Sequence, residues 1–487
     1  MFSIVRYAVV LLLLSGCISQ PQQANSSLLD ESLLLHNIQL VDVEAGKLVQ
    51  NKMVLIEQGK ITAVLPATER SKYKNMQQLD GQSQYLIPAL WDMHVHFEGR
   101  NLVEDNALLL PVYLAYGITA VRDSAGNLAP TVLEWRSEIA AGKRLGPRIF
   151  TAGQKFEGID SLWDGDLEIG NQQDLLAGME KLKQMQVDFI KITENTLQPE
   201  LYLDTIREAR RQGFLVSSHI PVGATIKQLA EAGLSSIEHA SYLLRLGFAD
   251  EAEIAAAVRN GTMTNADAYA HYKQGFDQHL AIYGYQMLAR QQVAVTPTLI
   301  GGRQLAYLAE TDHSKDQFLQ YLTADFTDNY QWRIGRMAGE TEAQTAERQQ
   351  QYQLIAKQLP YLEQAGVLLL AGSDSAALNT YVYPAQALHD ELELFQQAGL
   401  TPAQILRTAT INGATFMGVQ ADYGSIAANK QADLLLLPAN PLQDINAVRT
   451  IDTLIYGGKV YNRQALDKLL QQAAERKAEL TLKRGRS

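Results

Sequence analysis

The sequence predicts an α/β fold: a (β/α)8 TIM barrel with a small discontinuous β-sandwich domain formed from N- and C-terminal segments. Three observations lead there. Eight short apolar runs recur through the middle of the chain, roughly 20 to 60 residues apart, with amphipathic helical stretches between them, the pattern of parallel strand–helix units. Eight such strands close economically into a ring, which leaves no strand edge exposed. The two ends of the chain instead carry β runs broken by turns, as expected if they pair with each other outside the ring.

The 487 residues exceed one ordinary domain of roughly 150, while a barrel alone can take ~250. Hydrophobic residues make up 46% and charged residues 20%, a soluble globular balance that excludes a disordered chain, a fibrous repeat and a multi-span membrane protein. With 42 basic and 53 acidic residues the net charge is −11, so no global field attracts nucleic acid or an anionic membrane. The basic stretch at Lys477, Lys483, Arg484 and Arg486 reads as a solvated helix end, and a single cysteine makes no internal disulfide.

Taken in order, the chain opens with a short segment containing Arg6, an apolar run through Val9–Leu14 and small residues up to Cys17. Leu14-Ser-Gly-Cys resembles the lipobox of bacterial lipoproteins, so residues 1–17 read as signal peptide and lipobox, which implies cleavage before Cys17 and lipidation of the cysteine that becomes the new N-terminus. Ile18 in place of aspartate implies an outer-membrane anchor facing the periplasm. Residues 18–30, rich in Gln and Ser, suit a tether. Residues 31–85 with 418–464 form the expected β-sandwich, with Gly59 at a hairpin turn. Residues 86–417 form the barrel, its strands at Leu86–Leu90, Ile118–Asp123, Pro147–Gly153, Val187–Ile192, Leu215–Ile220, Ser236–Ala240, Val293–Leu299 and Val367–Asp374. The connection 301–365 reads as two or three surface helices that cover the barrel mouth or decorate it, and residues 465–487 as a helical tail.

Polar groups stand at the C-terminal ends of these apolar strands, where catalytic groups converge in a barrel. They are His94 and His96 after the first strand, Lys191 in the fourth, His219 ending the fifth, His239 ending the sixth and Asp374 after the eighth. Residues two apart on a strand share a face, so His94 and His96 present imidazoles side by side. Imidazole and carboxylate donors without cysteine suit Zn²⁺ and its borderline neighbours. Lys191 can join such a set only as the neutral amine or as an acid derivative; a carbamate would supply a bridging carboxylate and remove a buried positive charge.

The ordered series Pro88-Ala-Leu-Trp-Asp-Met-His-Val-His, Gly117-Ile-Thr-Ala-Val-Arg-Asp, Asp188-Phe-Ile-Lys-Ile, Ser218-His-Ile-Pro, Ser236-Ile-Glu-His and Ala371-Gly-Ser-Asp resembles the amidohydrolase superfamily, in its imidazolonepropionase-like and prolidase-like branch. The resemblance implies two divalent metals, taken as zinc. His94, His96 and Asp374 would hold one, His219 and His239 the other, and N6-carboxylated Lys191 would bridge them. It implies attack by a metal-bound hydroxide, with Asp374 passing the proton to the departing amine. Arg122, ending the second strand, is either an ion-pair partner or a substrate contact, and Tyr242 is placed to reach a substrate carboxylate or to pack at the rim.

The strand-four loop, Thr193-Glu-Asn-Thr-Leu, departs from the Ser-Gly-Gly-like loop of related dipeptide hydrolases, and Pro88-Ala89 replaces the usual Pro-Gly. The expected activity is therefore hydrolysis of an amide in a dipeptide, N-acyl amino acid or cyclic amide, without a named substrate. An ester, lactone or phosphotriester hydrolase would use the same site. A non-catalytic envelope lipoprotein is the reading from another class.

Overall fold

The computed structural model describes residues 27–28 and 32–485, so the expected signal segment, Cys17 and nearly all of the tether lie outside the described residues. Two strand systems organise the chain. The first is a nine-stranded sheet that draws on both ends of the sequence. Its order runs from Ser27–Leu28 through Lys459–Asn462, Thr453–Tyr456, Leu434–Leu437, Tyr85–Pro88, Ser32–Asp42 and Lys47–Glu57 to Lys60–Pro66, with Gln77–Asp80 beside Ser32–Asp42. Period-two alternation buries both faces of the long strand. Leu33 and Leu35 join Val54, Ile56 and Ile61 in one apolar cluster, while Leu34 joins Met53 and Leu55 in another.

The second system is parallel. Leu90–Val95, Ile118–Asp123 and Arg148–Thr151 pair in that order. Ile190–Ile192, Val216–Ser218, Ser236–Glu238 and Ala294–Thr296 pair likewise. Backbone bonds outside the regular ladders join the two groups. Asp188 N–H donates to Thr151 O at 2.9 Å on one side. On the other, Leu370 N–H donates to Val295 O at 2.9 Å and Met93 N–H to Ala371 O at 2.8 Å. The pairing thus returns to its starting strand. Helices such as Gln172–Gln184, Pro199–Arg211 and Ile226–Ala232 fill the connections. Asn171 caps the first, proline opens the second, and Thr225 with Gln228 forms a capping box on the third.

Three expectations change. The run expected as the first parallel strand is divided: Tyr85–Pro88 pairs with Leu434–Leu437 in the nine-stranded sheet, and only from Leu90 does the chain enter the parallel system. Val367–Asp374 contributes an isolated bridge at Leu369, with another just past its end at Ser375, instead of a continuous strand. The connection 301–365 is a series of short pieces, among them Leu299–Ala306, Gln331–Met337 and Glu342–Ala356. The C-terminal helix Arg463–Arg484 is held by its basic end: Arg484 pairs with Asp105 and Asp325, and Lys483 with Glu104. Among the described residues no helix is long and apolar enough to cross a membrane.

Candidate metal centre

Close backbone approach sets the position of the site. A Cβ on Gly372 would lie 2.5 Å from Thr296 Cγ2 and 2.9 Å from His94 N, so only glycine lets this segment lie against His94. Two residues later Asp374 takes φ 56° and its N–H donates to His94 O at 2.7 Å. His239 takes φ 75° directly after Ser236–Glu238, its N–H donating to Thr296 O at 2.8 Å. Non-glycine residues in this region carry strain, and such strain gathers at functional sites.

Four imidazoles converge. His94 Nε2 lies 3.2 Å from His96 Nε2, and His219 Nε2 lies 3.1 Å from His239 Nε2. The two pairs adjoin, with the His94 and His239 ring centres 5.1 Å apart. Asp374 Oδ1 is 3.3 Å from His94 Nε2 and 3.2 Å from His96 Nε2, and ligand atoms of His94, His239 and Asp374 all lie within 4.8 Å of one another.

The remaining ring nitrogens decide the tautomers. His96 Nδ1 faces Ala125 O at 2.6 Å and can only donate to a carbonyl. His94 Nδ1 faces Glu238 at 2.7 Å and His219 Nδ1 faces Glu194 at 2.8 Å. Both acids are ionised despite burial: Arg122 and His94 hold Glu238 well below its ordinary range, and His219 with Tyr242 lowers Glu194. His239 Nδ1 meets Thr298 Oγ1 at 2.6 Å, and that hydroxyl gives its own proton to Pro297 O. Every Nδ1 is therefore a donor, and in the neutral rings every Nε2 is a lone pair facing another lone pair. A cation between them resolves that conflict, and partners on the far ring nitrogen are what orient imidazole ligands.

Burial would raise Asp374, yet His94, His96 and His239 hold it well below the ordinary carboxylate range. Lys191, in register with Ser217, is wholly buried, and its Nζ has no hydrogen-bond partner among the described residues. Burial pushes its ammonium down to about 8, against attraction from Glu238, and its charge is felt at His94 and His239. The donor set fits a divalent metal, and a carbamate on the unpartnered amine in its midst would replace a buried positive charge by a further carboxylate donor. The lowered value has a kinetic consequence. Only the neutral amine attacks CO₂, so at constant dissolved CO₂ the recovery of metal binding by metal-free protein should accelerate about tenfold per unit between pH 6 and 7. It should level off above about 8, whereas an ordinary lysine would still accelerate from pH 9 to 10. Stopped-flow metal uptake measures this; continued acceleration to pH 10 would mean that Lys191 keeps the ordinary lysine range.

Arg122, expected as either an ion pair or a substrate contact, forms the ion pair. It is fully buried, its Nη2 donates to both oxygens of Glu238 at 2.8 and 2.7 Å, and its Nε to Met93 O at 2.6 Å. Phe189 and Phe416 lie against the guanidinium at 5.3 and 5.0 Å. Tyr242 stands beside the His219 ring at 5.9 Å, but its hydroxyl donates to Glu194 at 2.6 Å. Glu238 and Glu194 carry no role in the sequence reading. The signal for Glu238 was available: a carboxylate alternating with Ser236 inside a strand, immediately before a histidine, needs buried partners.

Above these groups lies a cavity of about 320 Å³. His239, Thr298, Asp374 and Asn379 line its floor, and the 301–365 connection supplies Arg333, Arg348 and Tyr352. That connection therefore forms part of the cavity wall.

Residues 85–461 match the amidohydrolase family. A 64-residue stretch is 41% identical to the imidazolonepropionase of Shouchella clausii, a match spanning 12% of this chain and 14% of that protein. Among solved structures, a bottromycin amidohydrolase superposes with a TM-score of 0.67 at 18% identity, covering 92% of this chain and 90% of its own. A Xaa-Pro dipeptidase with bound methionine gives 0.63 at 19% identity, over 88% of this chain and all of its own (100%). The ochratoxinase of A. niger gives 0.61 at 16%, over 89% and 96%. At such identities these likenesses speak for the fold.

Proposed function

The chain belongs to the amidohydrolase family, and on that premise we propose that it is a metal-dependent hydrolase cleaving an amide C–N bond in a small molecule. The observation that carries the reading is the meeting of four imidazoles through their Nε2 atoms, each Nδ1 already engaged as a donor. His94, His96 and Asp374 would hold one divalent ion, His219 and His239 a second, zinc by donor type, with Lys191 as its carbamate between them. Bound cations would lower the pKa of a water and polarise the substrate carbonyl. The chain does the rest. Glu238, Glu194, Thr298 and Ala125 O hold the rings in orientation. Asp374, on the cavity floor, receives a proton at its carboxylate and returns it to the leaving nitrogen. The 301–365 connection supplies one wall of the cavity beside these groups.

The architecture we infer is the (β/α)8 barrel over 86–417 with a β-sandwich over 31–85 and 418–464. The closed course of parallel pairing and the two apolar clusters about the strand Ser32–Asp42 support it. A lipid anchor at Cys17 remains part of the proposal, on the sequence pattern alone.

Zinc-loaded enzyme should hydrolyse members of a dipeptide and N-acyl amino acid library, and chelation should stop it. Asp374→Asn, which cannot relay a proton, should lose about 100-fold or more in kcat on amides. Hydrolysis that survives both treatments would end the proposal, as would less than one equivalent of metal after growth with added zinc.

A further inference from the structure

We propose that Arg333 is the counter-ion for a carboxylate on the substrate, so that this chain selects amides that also carry a free acid group. The inference rests on the hydrolase reading above and narrows its substrate class. Arg333 sits on the short helix Gln331–Met337 of the 301–365 connection and lines the cavity together with Asp374, His239 and Asn379. Its bonds go to neutral acceptors only: Nε donates to Leu378 O at 3.1 Å and Nη2 donates to Asn379 Oδ1. No carboxylate lies within ion-pair distance of it among the described residues, whereas the neighbouring cavity arginine, Arg348, is paired with Glu340.

A mostly buried guanidinium without a carboxylate is costly, and burial lowers its pKa from the ordinary value. Asp374 and Glu98 act on its charge, and it lines the same cavity as Asp374 and His239. The Leu378 carbonyl, the Asn379 side chain and the Trp332 ring, 5.6 Å from the guanidinium carbon, hold the side chain while leaving donor capacity toward the cavity. A planar guanidinium held in this way matches a carboxylate through paired hydrogen bonds. The floor carries one carboxylate, Asp374, already surrounded by three imidazoles. The cavity thus offers an unpaired guanidinium in the same space as the hydrolytic groups.

The test compares dipeptides and N-acetyl amino acids with their carboxamides, on zinc-loaded wild type, Arg333→Met and Arg333→Lys. Wild type should prefer the acids by about 100-fold in kcat/KM, chiefly through KM, and the methionine variant should bring the ratio near one. The lysine variant keeps the charge without the fork and should fall between. Because both series are measured on one preparation, partial misfolding cancels from the ratio. Equal turnover of acids and carboxamides by wild type, or an acid preference that survives in Arg333→Met, overturns the role of Arg333. If wild type cleaves neither series, the hydrolase reading falls instead. Calorimetric binding of the same compounds then decides Arg333: tighter binding of acids that Arg333→Met abolishes supports it, and binding indifferent to the substitution overturns it.

Discussion

Lys191→Ala is expected to lose about 1000-fold or more in kcat and to bind less than its full complement of metal. The lysine is wholly buried and its nitrogen has no partner among the described residues, so truncation removes no internal hydrogen bond. It opens a small space bordered by charged and polar groups. Acetate or propionate should enter that space, supply the missing carboxylate, and restore part of the activity in a concentration-dependent way. This rescue separates a bridging role from a packing role, because a protein damaged by a packing defect gains nothing from added acid. Kinetics with zinc in excess, alongside metal analysis, measure both effects. Wild-type turnover and metal content in Lys191→Ala would remove the bridge.

Glu238→Gln should be the most damaging change to stability, costing about 3–5 kcal/mol. The carboxylate accepts from Arg122 on both oxygens, from His94 Nδ1 at 2.7 Å, and from Ser217 and Ser236, both at 2.6 Å. An amide replaces one acceptor by a donor, which faces other donors and leaves Arg122 buried without its counter-charge. Metal affinity should fall as well, by about 10–100-fold, since His94 loses the partner that orients it. Urea unfolding of metal-free protein reads the first effect and competition with a chelating dye reads the second. A change of under about 1 kcal/mol would mean that Arg122 finds compensation elsewhere.

Much of the polar constellation was legible because its members follow apolar runs, where an imidazole or an ammonium is conspicuous. His94, His96, His219, His239 and Asp374 are brought within a few ångströms, as their strand-end positions suggested. What supports them was not legible. Glu194 looks like any loop acid, and its task depends on His219 and Tyr242 arriving from other connections. Arg333 lies in a stretch of ordinary helical polarity, and only the folded chain brings it to the cavity that Asp374 lines. The division of the run around Ala89 was hidden because continuous burial in two different sheets leaves the same apolar signature. Segment 367–374 has the composition of a strand, but its close contact across Gly372 bends it out of regular pairing.

The nine-stranded sheet has a consequence for biogenesis. Tyr85–Pro88 pairs with Leu434–Leu437, and Ser27–Leu28 with Lys459–Asn462, so early strands leave the ribosome long before their neighbours are translated. Until then the apolar edge of Tyr85–Pro88 is open to wrong partners, a hazard that nascent chains meet with holding chaperones. Truncation a few dozen residues short of Leu434 should therefore yield aggregates rather than a smaller working enzyme, even though every candidate metal ligand would have been made.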